Sequence, residues 1–145
     1  MQKLMQILPV VIAALLILLF SYTAINKLMS QRGFEIALAH SPLLKNVSIL
    51  VSWMIPVIEI IIVIALFFPA TRRFGLLASL VLMILFTGYI GYMIWFTPKL
   101  PCSCGGVLKH MTWREHLVFN ICFTALAATG YLFEKNKRAI AKKQG

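Results

Sequence analysis

Four long apolar runs, separated by short polar segments, dominate the chain. They cover residues of about 7–26, 48–68, 74–96 and 113–133. Each run is close to the ~20 residues that an α-helix needs to cross ~30 Å of hydrocarbon. Backbone groups inside lipid must be hydrogen-bonded within their own segment, so we predict four transmembrane helices. The predicted fold class is all-α: one integral membrane four-helix bundle over residues 1–145, with a short basic tail at 134–145 that is expected to be a frayed, solvated helix end.

Local signals refine where these elements begin. Thr112 and Glu115 have the spacing of a capping box, in which the hydroxyl and the carboxylate each accept a hydrogen bond from a backbone amide. The fourth helix is therefore predicted to start at Trp113, an aromatic residue suited to the membrane interface. The short, mixed segment 32–40 is predicted to be a half-helix that lies at the interface.

The composition excludes an ordinary soluble domain and argues against a nucleic-acid-binding protein. Hydrophobic residues make up 61% of the chain and charged residues only 12%. The net charge of +10 would suit nucleic acid, but the basic residues stand in short flanks beside the apolar runs and form no basic face. Anionic lipid headgroups explain this distribution better, so the predicted partner is the lipid bilayer and not nucleic acid.

The basic residues also predict an orientation. Eight lie on the side of the two termini and six on the opposite side, and the first group is denser because Arg72-Arg73 fills a very short loop. The positive-inside rule then places both termini in the cytoplasm of a bacterial inner-membrane, multi-pass protein. Segments 27–47 and 97–112 would face outward, toward the periplasm, where conditions are more oxidising.

Cys102 and Cys104 are the most informative residues, because they stand one residue apart in the outward-facing polar loop. Nearby basic residues, such as Lys99 and Lys109, favour the thiolate, which is the reactive form of cysteine. A disulfide at this spacing closes a very small ring, and strained disulfides tend to be labile or catalytic. We therefore predict that the pair performs thiol-disulfide exchange.

Two other interpretations of the pair stay open. It can be an inert disulfide of the loop, although so short a ring adds little stability. It can also hold a soft metal ion, but the loops carry few additional histidine or methionine ligands, and no further metal-ligating residues are predicted.

Glu59 is the next candidate, since it stands near the middle of the second run. A carboxylate at membrane depth is costly and is usually paired or functional. Pro56, one turn earlier, lacks an amide hydrogen and leaves the carbonyl of Ser52 free, so the two positions form a kinked polar patch. We interpret Glu59 as a proton carrier, as a ligand for a quinone or a protein partner, or as a structural hydrogen-bonding group. Lys27, at the end of the first run, is expected to snorkel to the interface.

His116 and Asn120 are four residues apart in the fourth run and therefore share one helix face. His116 is a candidate for proton transfer during thiol chemistry. Asn120 is a candidate for hydrogen bonds between helices, and both can equally serve as structural contacts. Cys122 is interpreted as a small, buried apolar residue. These polar groups, with those of the first two runs, gather in the outer half of the predicted bundle.

Several motifs resemble the DoxX/MauE-like membrane proteins, close to the MauE branch, over nearly the whole chain. They are Asn26-Lys27, Phe34, Ser41-Pro42, Pro56-x-x-Glu59, Cys102-Ser103-Cys104-Gly105-Gly106, and Trp113 with Asn120. The most specific is the cysteine motif, which is similar to the family's Cys-x-Cys-x-Gly and assigns a site-shaping role to Gly106. The resemblance implies a four-helix bundle associated with thiol or disulfide redox outside the cytoplasmic membrane. DoxX relatives include a quinone-linked oxidoreductase subunit, so a quinone is the one cofactor to test.

We therefore predict an inner-membrane thiol-disulfide redox protein. Cys102 and Cys104 would exchange disulfides with a periplasmic thioredoxin-like or client protein, and His116 and Glu59 would assist. Pro56, Lys27, Trp113 and Asn120 would shape the site. The alternative is a non-catalytic subunit of a larger membrane complex, in which the cysteine pair is a structural clasp.

Overall fold

The computed structural model describes residues 2–96 and 112–144. Its helices are α1 (Gln2–Met29), α2 (Gln31–Ala39), α3 (Ser48–Phe67), α4 (Arg72–Phe96) and α5 (Trp113–Gln144). A short 3₁₀ turn at Lys45–Val47 leads into α3, and the described part of the chain contains no β-strand. The predicted all-α class is confirmed.

Four of these helices are long and apolar enough to cross a membrane: α1, α3 with its preceding 3₁₀ turn, α4 and α5. Their outer surfaces carry large hydrophobic side chains such as Leu18, Phe74 and Phe96, each more than half exposed. Such a surface is unfavourable in water and natural in lipid. The prediction of a multi-pass membrane helix bundle is thereby confirmed, whereas the orientation of the termini stays a prediction.

The long helices pack in a ring in which α1 contacts α3 and α5, and α4 contacts the same two helices from the opposite side. The short helix α2 packs mainly on α3. The core inside the ring is formed by interlocking aliphatic and aromatic side chains, including Leu16, Phe20, Leu66, Leu76 and Met83. In this arrangement each of the four long helices has one face toward the bundle axis.

Two glycines allow close approach between neighbouring helices. A Cβ atom on Gly75 of α4 would lie 2.8 Å from the backbone nitrogen of Leu66 in α3. A Cβ atom on Gly130 of α5 would lie 2.9 Å from Ile12 Cγ2 and 3.1 Å from Leu76 Cδ2. Small residues at such positions are a usual means of tight helix packing in membranes.

Helix α5 continues past residue 133, the predicted end of the fourth membrane span, to Gln144. Glu134 is buried, with only 4% of its surface exposed, rather than solvated. Its Oε1 lies 3.4 Å from Arg138 Nε, and Arg138 Nη2 donates to the carbonyl oxygens of Pro69 at 3.0 Å and Ala70 at 3.1 Å. The guanidinium thus ties the end of α5 to the α3–α4 connection, an interaction between distant parts of the chain that the local charge pattern did not reveal.

Candidate functional site

A buried ion pair joins the first two membrane-spanning helices. Glu59 of α3 has no exposed surface, and its Oε1 contacts the ammonium of Lys27 from α1. Thr23, one turn before Lys27 on the same face of α1, donates to the same Oε1 at 3.2 Å. Because an unpaired carboxylate is costly inside a membrane protein, these two donors make the deep position of Glu59 tolerable.

Lys27 is directed into the bundle and not toward the interface, so the expectation that it snorkels is wrong. Only 19% of its side chain is exposed. Its Nζ lies 4.9 Å from the ring centroid of Phe86 on α4 and 5.5 Å from that of Phe34 on α2. The faces of aromatic rings attract cations, and this attraction strengthens where water is excluded. Glu59 and the two rings therefore provide an internal environment that holds the ammonium.

The second carboxylate oxygen of Glu59, Oε2, accepts no hydrogen bond from Lys27 or Thr23. Oε2 is buried and has no hydrogen-bond partner among the residues that the structure describes. Buried acceptors are normally satisfied, so an exception of this kind calls for a physical explanation. Glu59 also lines a cavity, which offers a place for a partner that is not part of the chain.

This cavity has a volume of about 430 Å³ and is lined by residues from all five helices. Most of its wall is apolar and includes the aromatic rings of Phe20, Phe34, Phe86 and Phe119. The polar or amphipathic lining residues are Thr23, Lys27, Glu59, Tyr89, Trp113, His116 and Asn120. An apolar chamber with a few convergent polar groups is typical of a small-molecule site.

The start of α5 contributes three of these residues. The capping box is present: the Thr112 amide donates to Glu115 Oε2 at 2.8 Å, and the Glu115 amide donates to Thr112 Oγ1 at 3.3 Å. Helix α5 therefore begins at Trp113, in agreement with the sequence. Residues three and four apart on a helix share a face, and Trp113, His116 and Asn120 accordingly line the cavity together.

Among the described residues, the Asn120 side chain makes no hydrogen bond to another helix. Its Nδ2 donates to the backbone oxygen of His116 at 2.9 Å, within α5. The backbone oxygen of Asn120 in turn accepts from Thr124 Oγ1 at 2.7 Å. The side chain is nevertheless buried beside the cavity, with 5% exposure, so it shapes the wall rather than bridging two helices.

Pro56 lies buried in α3 one turn before Glu59. On the preceding turn, Ser52 Oγ donates to the backbone oxygen of Ile49 at 2.8 Å and accepts from Gln31 Nε2 at 3.3 Å. The Gln31 contact attaches α2 to α3 and helps to hold Phe34, the α2 residue beside Lys27. Sequence reasoning did not single out Gln31 or Phe86, since a surface-type amide and one more aromatic residue in an apolar run carry no distinguishing signal.

The structure describes Cys122 but not the predicted cysteine pair. Cys102, Cys104 and Gly106 lie outside the described residues. Cys122 is a free thiol on the exposed surface of α5, so its interpretation as a buried residue is wrong. The rotation of α5 that directs Asn120 inward directs Cys122 outward. Within the described ranges, no three His, Cys, Asp or Glu side chains are grouped as a metal site requires.

The comparisons with known proteins identify one family. The model of the family described as methylamine utilisation protein MauE matches residues 5–133. No curated protein and no solved structure matches the chain. Because the match covers most of the sequence, the chain belongs to the MauE family. The MauE part of the predicted resemblance is confirmed, and its broader DoxX-like part stays a prediction.

Proposed function

We propose that this member of the MauE family is a thiol-disulfide redox protein of the bacterial inner membrane that acts in methylamine utilisation. Cys102 and Cys104 exchange disulfides with a periplasmic thioredoxin-like protein or a disulfide-containing client. The observation that carries the proposal is the cavity around Lys27 and Glu59, an apolar chamber with a few convergent polar groups. It is lined by Tyr89 near the end of α4 and by Trp113 at the start of α5, the two helices that the cysteine segment connects.

The exchange follows ordinary thiol chemistry. A thiolate of the reduced pair attacks one sulfur of the partner's disulfide, which forms a mixed disulfide and releases the other partner sulfur as a thiolate. The second cysteine of the pair then loses its proton and attacks the mixed disulfide. The partner leaves as a dithiol, and Cys102 and Cys104 are joined. Two electrons and two protons pass from the pair to the partner, and the reverse sequence oxidises a partner dithiol.

The proposal also gives roles to the buried polar groups of the described helices. His116, on the first turn of α5, is a proton donor or acceptor of a kind suited to thiol chemistry. Lys27 and Glu59 lie deeper, as a charge pair whose free oxygen faces the cavity. We assign His116 and Glu59 to proton transfer that accompanies exchange, and we assign Pro56, Trp113 and Asn120 to shaping the cavity.

The test is a redox titration of the full chain carrying Cys122→Ser, which leaves Cys102 and Cys104 as the thiols counted by alkylation and mass measurement. Cys122 is exposed and suited to removal. We expect the pair to pass from two free thiols to none, with a midpoint in the range of known thiol oxidoreductases, roughly −120 to −270 mV. A pair that stays reduced at every potential, or that resists reduction throughout, would contradict the proposal.

A structural subunit is the alternative function, and one observation favours it. Gly88 and Gly91 of α4 share a face, and a Cβ atom on either would meet no atom of residues 2–96 or 112–144 within 4 Å. This leaves room for another helix to approach α4 closely. Replacing Cys102 and Cys104 together by serine separates the two functions. A redox protein keeps its assembly and loses disulfide exchange, whereas a subunit with a structural clasp keeps both its assembly and its role, or loses both.

A further inference from the structure

Part of the wall of the cavity around Glu59 is formed by side chains that also lie on the outer surface of the bundle. Met54 of α3 and Leu85 of α4 both line it. Both also belong to the outer, lipid-facing surface, with 48% and 62% of their areas exposed. Because α3 and α4 are neighbours in the ring, the cavity is separated from the outer surface between them by little more than these two side chains, whose movement would give a lateral route. A molecule dissolved in the bilayer can reach the cavity by this route without crossing water.

The charges in the cavity select the kind of molecule that fits. Lys27 and Glu59 neutralise each other, so the deep end of the cavity has no net charge to attract an ion. A ligand carboxylate would be placed beside Glu59, and a ligand ammonium beside Lys27, so either would meet a like charge after losing its hydration. The aromatic wall formed by Phe34, Phe86 and Phe119 suits a flat, apolar ring.

Oε2 of Glu59 restricts further which ligands can bind in the cavity. Lys27 and Thr23 both donate to Oε1, and no donor of the described residues reaches the buried Oε2. A carboxylate has no hydrogen to donate, so a ligand that contacts Oε2 favourably must carry an O–H or N–H group, as the water that it displaces would. A carbonyl oxygen or an ether oxygen cannot do this.

We infer that the cavity binds a lipid-soluble aromatic alcohol, with its ring among the phenylalanines and its hydroxyl donating to Glu59 Oε2. Phenols and hydroquinones belong to this chemical class. A volume of about 430 Å³ is within the range of small-molecule pockets and holds such a ring together with part of an alkyl tail. The inference needs no redox step and does not depend on the cysteine pair, so it stands or fails separately from the proposed function.

The experiment uses the full chain in lipid nanodiscs, with Trp113 as the reporter. The chain has three tryptophans, and the other two, Trp53 and Trp95, are exposed on the outer surface. Changing both of them to phenylalanine leaves the cavity indole as the only one. The probes are 4-hexylphenol and its methyl ether, in which a methyl group replaces the hydroxyl hydrogen and removes the only donor. Neither exchanges electrons with thiols under these conditions.

We expect 4-hexylphenol to change the Trp113 emission saturably and the methyl ether to bind on the order of tenfold more weakly, which is the usual worth of a hydrogen bond to a charged group. Equal affinities, or a response that rises without saturation as in simple partitioning into lipid, would overturn the inference. This comparison uses unaltered Glu59, so it does not depend on whether a cavity variant folds.

Glu59→Gln provides a second test with a predicted change in preference. Lys27 and Thr23 both donate, so the amide oxygen of the new side chain stays with them and its NH₂ group faces the cavity. The preference for the phenol over the ether should then fall to within about twofold, on the order of the loss of one hydrogen bond. Glu134→Gln is the matched control, because Glu134 is also buried, also paired with a basic side chain, and also has a free Oε2. A preference that survives in Glu59→Gln, or that is lost equally in the control, would contradict the assignment.

Discussion

Lys27 and Glu59 are separated by 32 positions in the sequence, yet their side chains form a buried ion pair between α1 and α3. The pair lies where α2, α4 and α5 also converge, so it is both a contact between helices and part of a cavity wall. Its two roles can be separated, because stability depends on the charge balance and ligand binding depends on the free carboxylate oxygen.

Removing the cation alone should destabilise the bundle strongly. Lys27→Met leaves the Glu59 carboxylate buried without its main partner, which typically costs about 3–5 kcal/mol. The double variant Lys27→Met/Glu59→Gln should lose clearly less, since no uncompensated charge remains. The free energy of unfolding in mixed detergent micelles measures both. Losses that simply add, with the double variant the least stable, would show that the pair does not stabilise the fold in this way.

Gly75 should not tolerate an added methyl group. Gly75→Ala places a Cβ atom 2.8 Å from the backbone nitrogen of Leu66, and backbone cannot move aside as a flexible side chain can. We expect a loss of about 1–3 kcal/mol in the free energy of unfolding, as for other overpacked sites. Gly88→Ala, on the same helix but with open space around the new atom, is the control. It should be neutral or slightly stabilising, because alanine favours the helix. Equal destabilisation by both changes would refute the close-contact explanation.

Arg138 should hold the end of α5 in place. Arg138→Ala removes the hydrogen bonds to the carbonyl oxygens of Pro69 and Ala70 and leaves Glu134 without its ion pair. We expect faster amide hydrogen exchange over the last turns of α5 and in the α3–α4 connection, because both lose a shared contact. The exposed Lys135 offers the comparison: Lys135→Ala should leave exchange in both regions nearly unchanged. Unaltered exchange in Arg138→Ala would show that the contact does not restrain the helix.

Thr112 should stabilise the start of α5 and, with it, one side of the cavity. Thr112→Ala removes the hydroxyl that accepts from the Glu115 amide, a change that costs about 1 kcal/mol for typical N-caps. Hydrogen exchange in the first turn of α5 should become faster, and the emission of Trp113 should shift as its position loosens. Thr129→Ala removes an exposed hydroxyl that donates to a carbonyl in the middle of the same helix. It should change neither the hydrogen exchange of the first turn nor the emission of Trp113. If the two variants behave alike, the capping box has no special role.

The orientation of the bundle can be tested by labelling single cysteines in cells. In a Cys122→Ser background with Cys102 and Cys104 also changed to serine, we expect Lys45→Cys to react with a membrane-impermeant thiol reagent added outside the inner membrane. Lys142→Cys should react only after that membrane is permeabilised, because the denser basic flanks are predicted to remain in the cytoplasm. The opposite pattern would reverse the orientation and place the cysteine segment on the reducing side.

Much of this architecture could be predicted from local sequence. The four helices and the start of α5 at Trp113 depend on the length of apolar runs and on a capping motif, and both act over a few neighbouring residues. The buried position of Glu59 was likewise suspected from its place inside an apolar run. The burial of Glu134 in the last part of α5 was missed, since the contacts beside it join Arg138 to a loop almost seventy residues earlier.

The sequence by itself therefore determined the number of membrane-spanning helices, the family and the candidate polar residues. Only the tertiary structure decided which of them meet. Whether Lys27 snorkels or turns inward, and whether Cys122 is buried or faces lipid, depends on how each helix is rotated about its axis. That rotation is set by close packing at positions such as Gly75 and Gly130 and by contacts between distant helices. Hydrophobic length is the same for every rotation, so it contains no information about the Lys27–Glu59 pair or the cavity beside it.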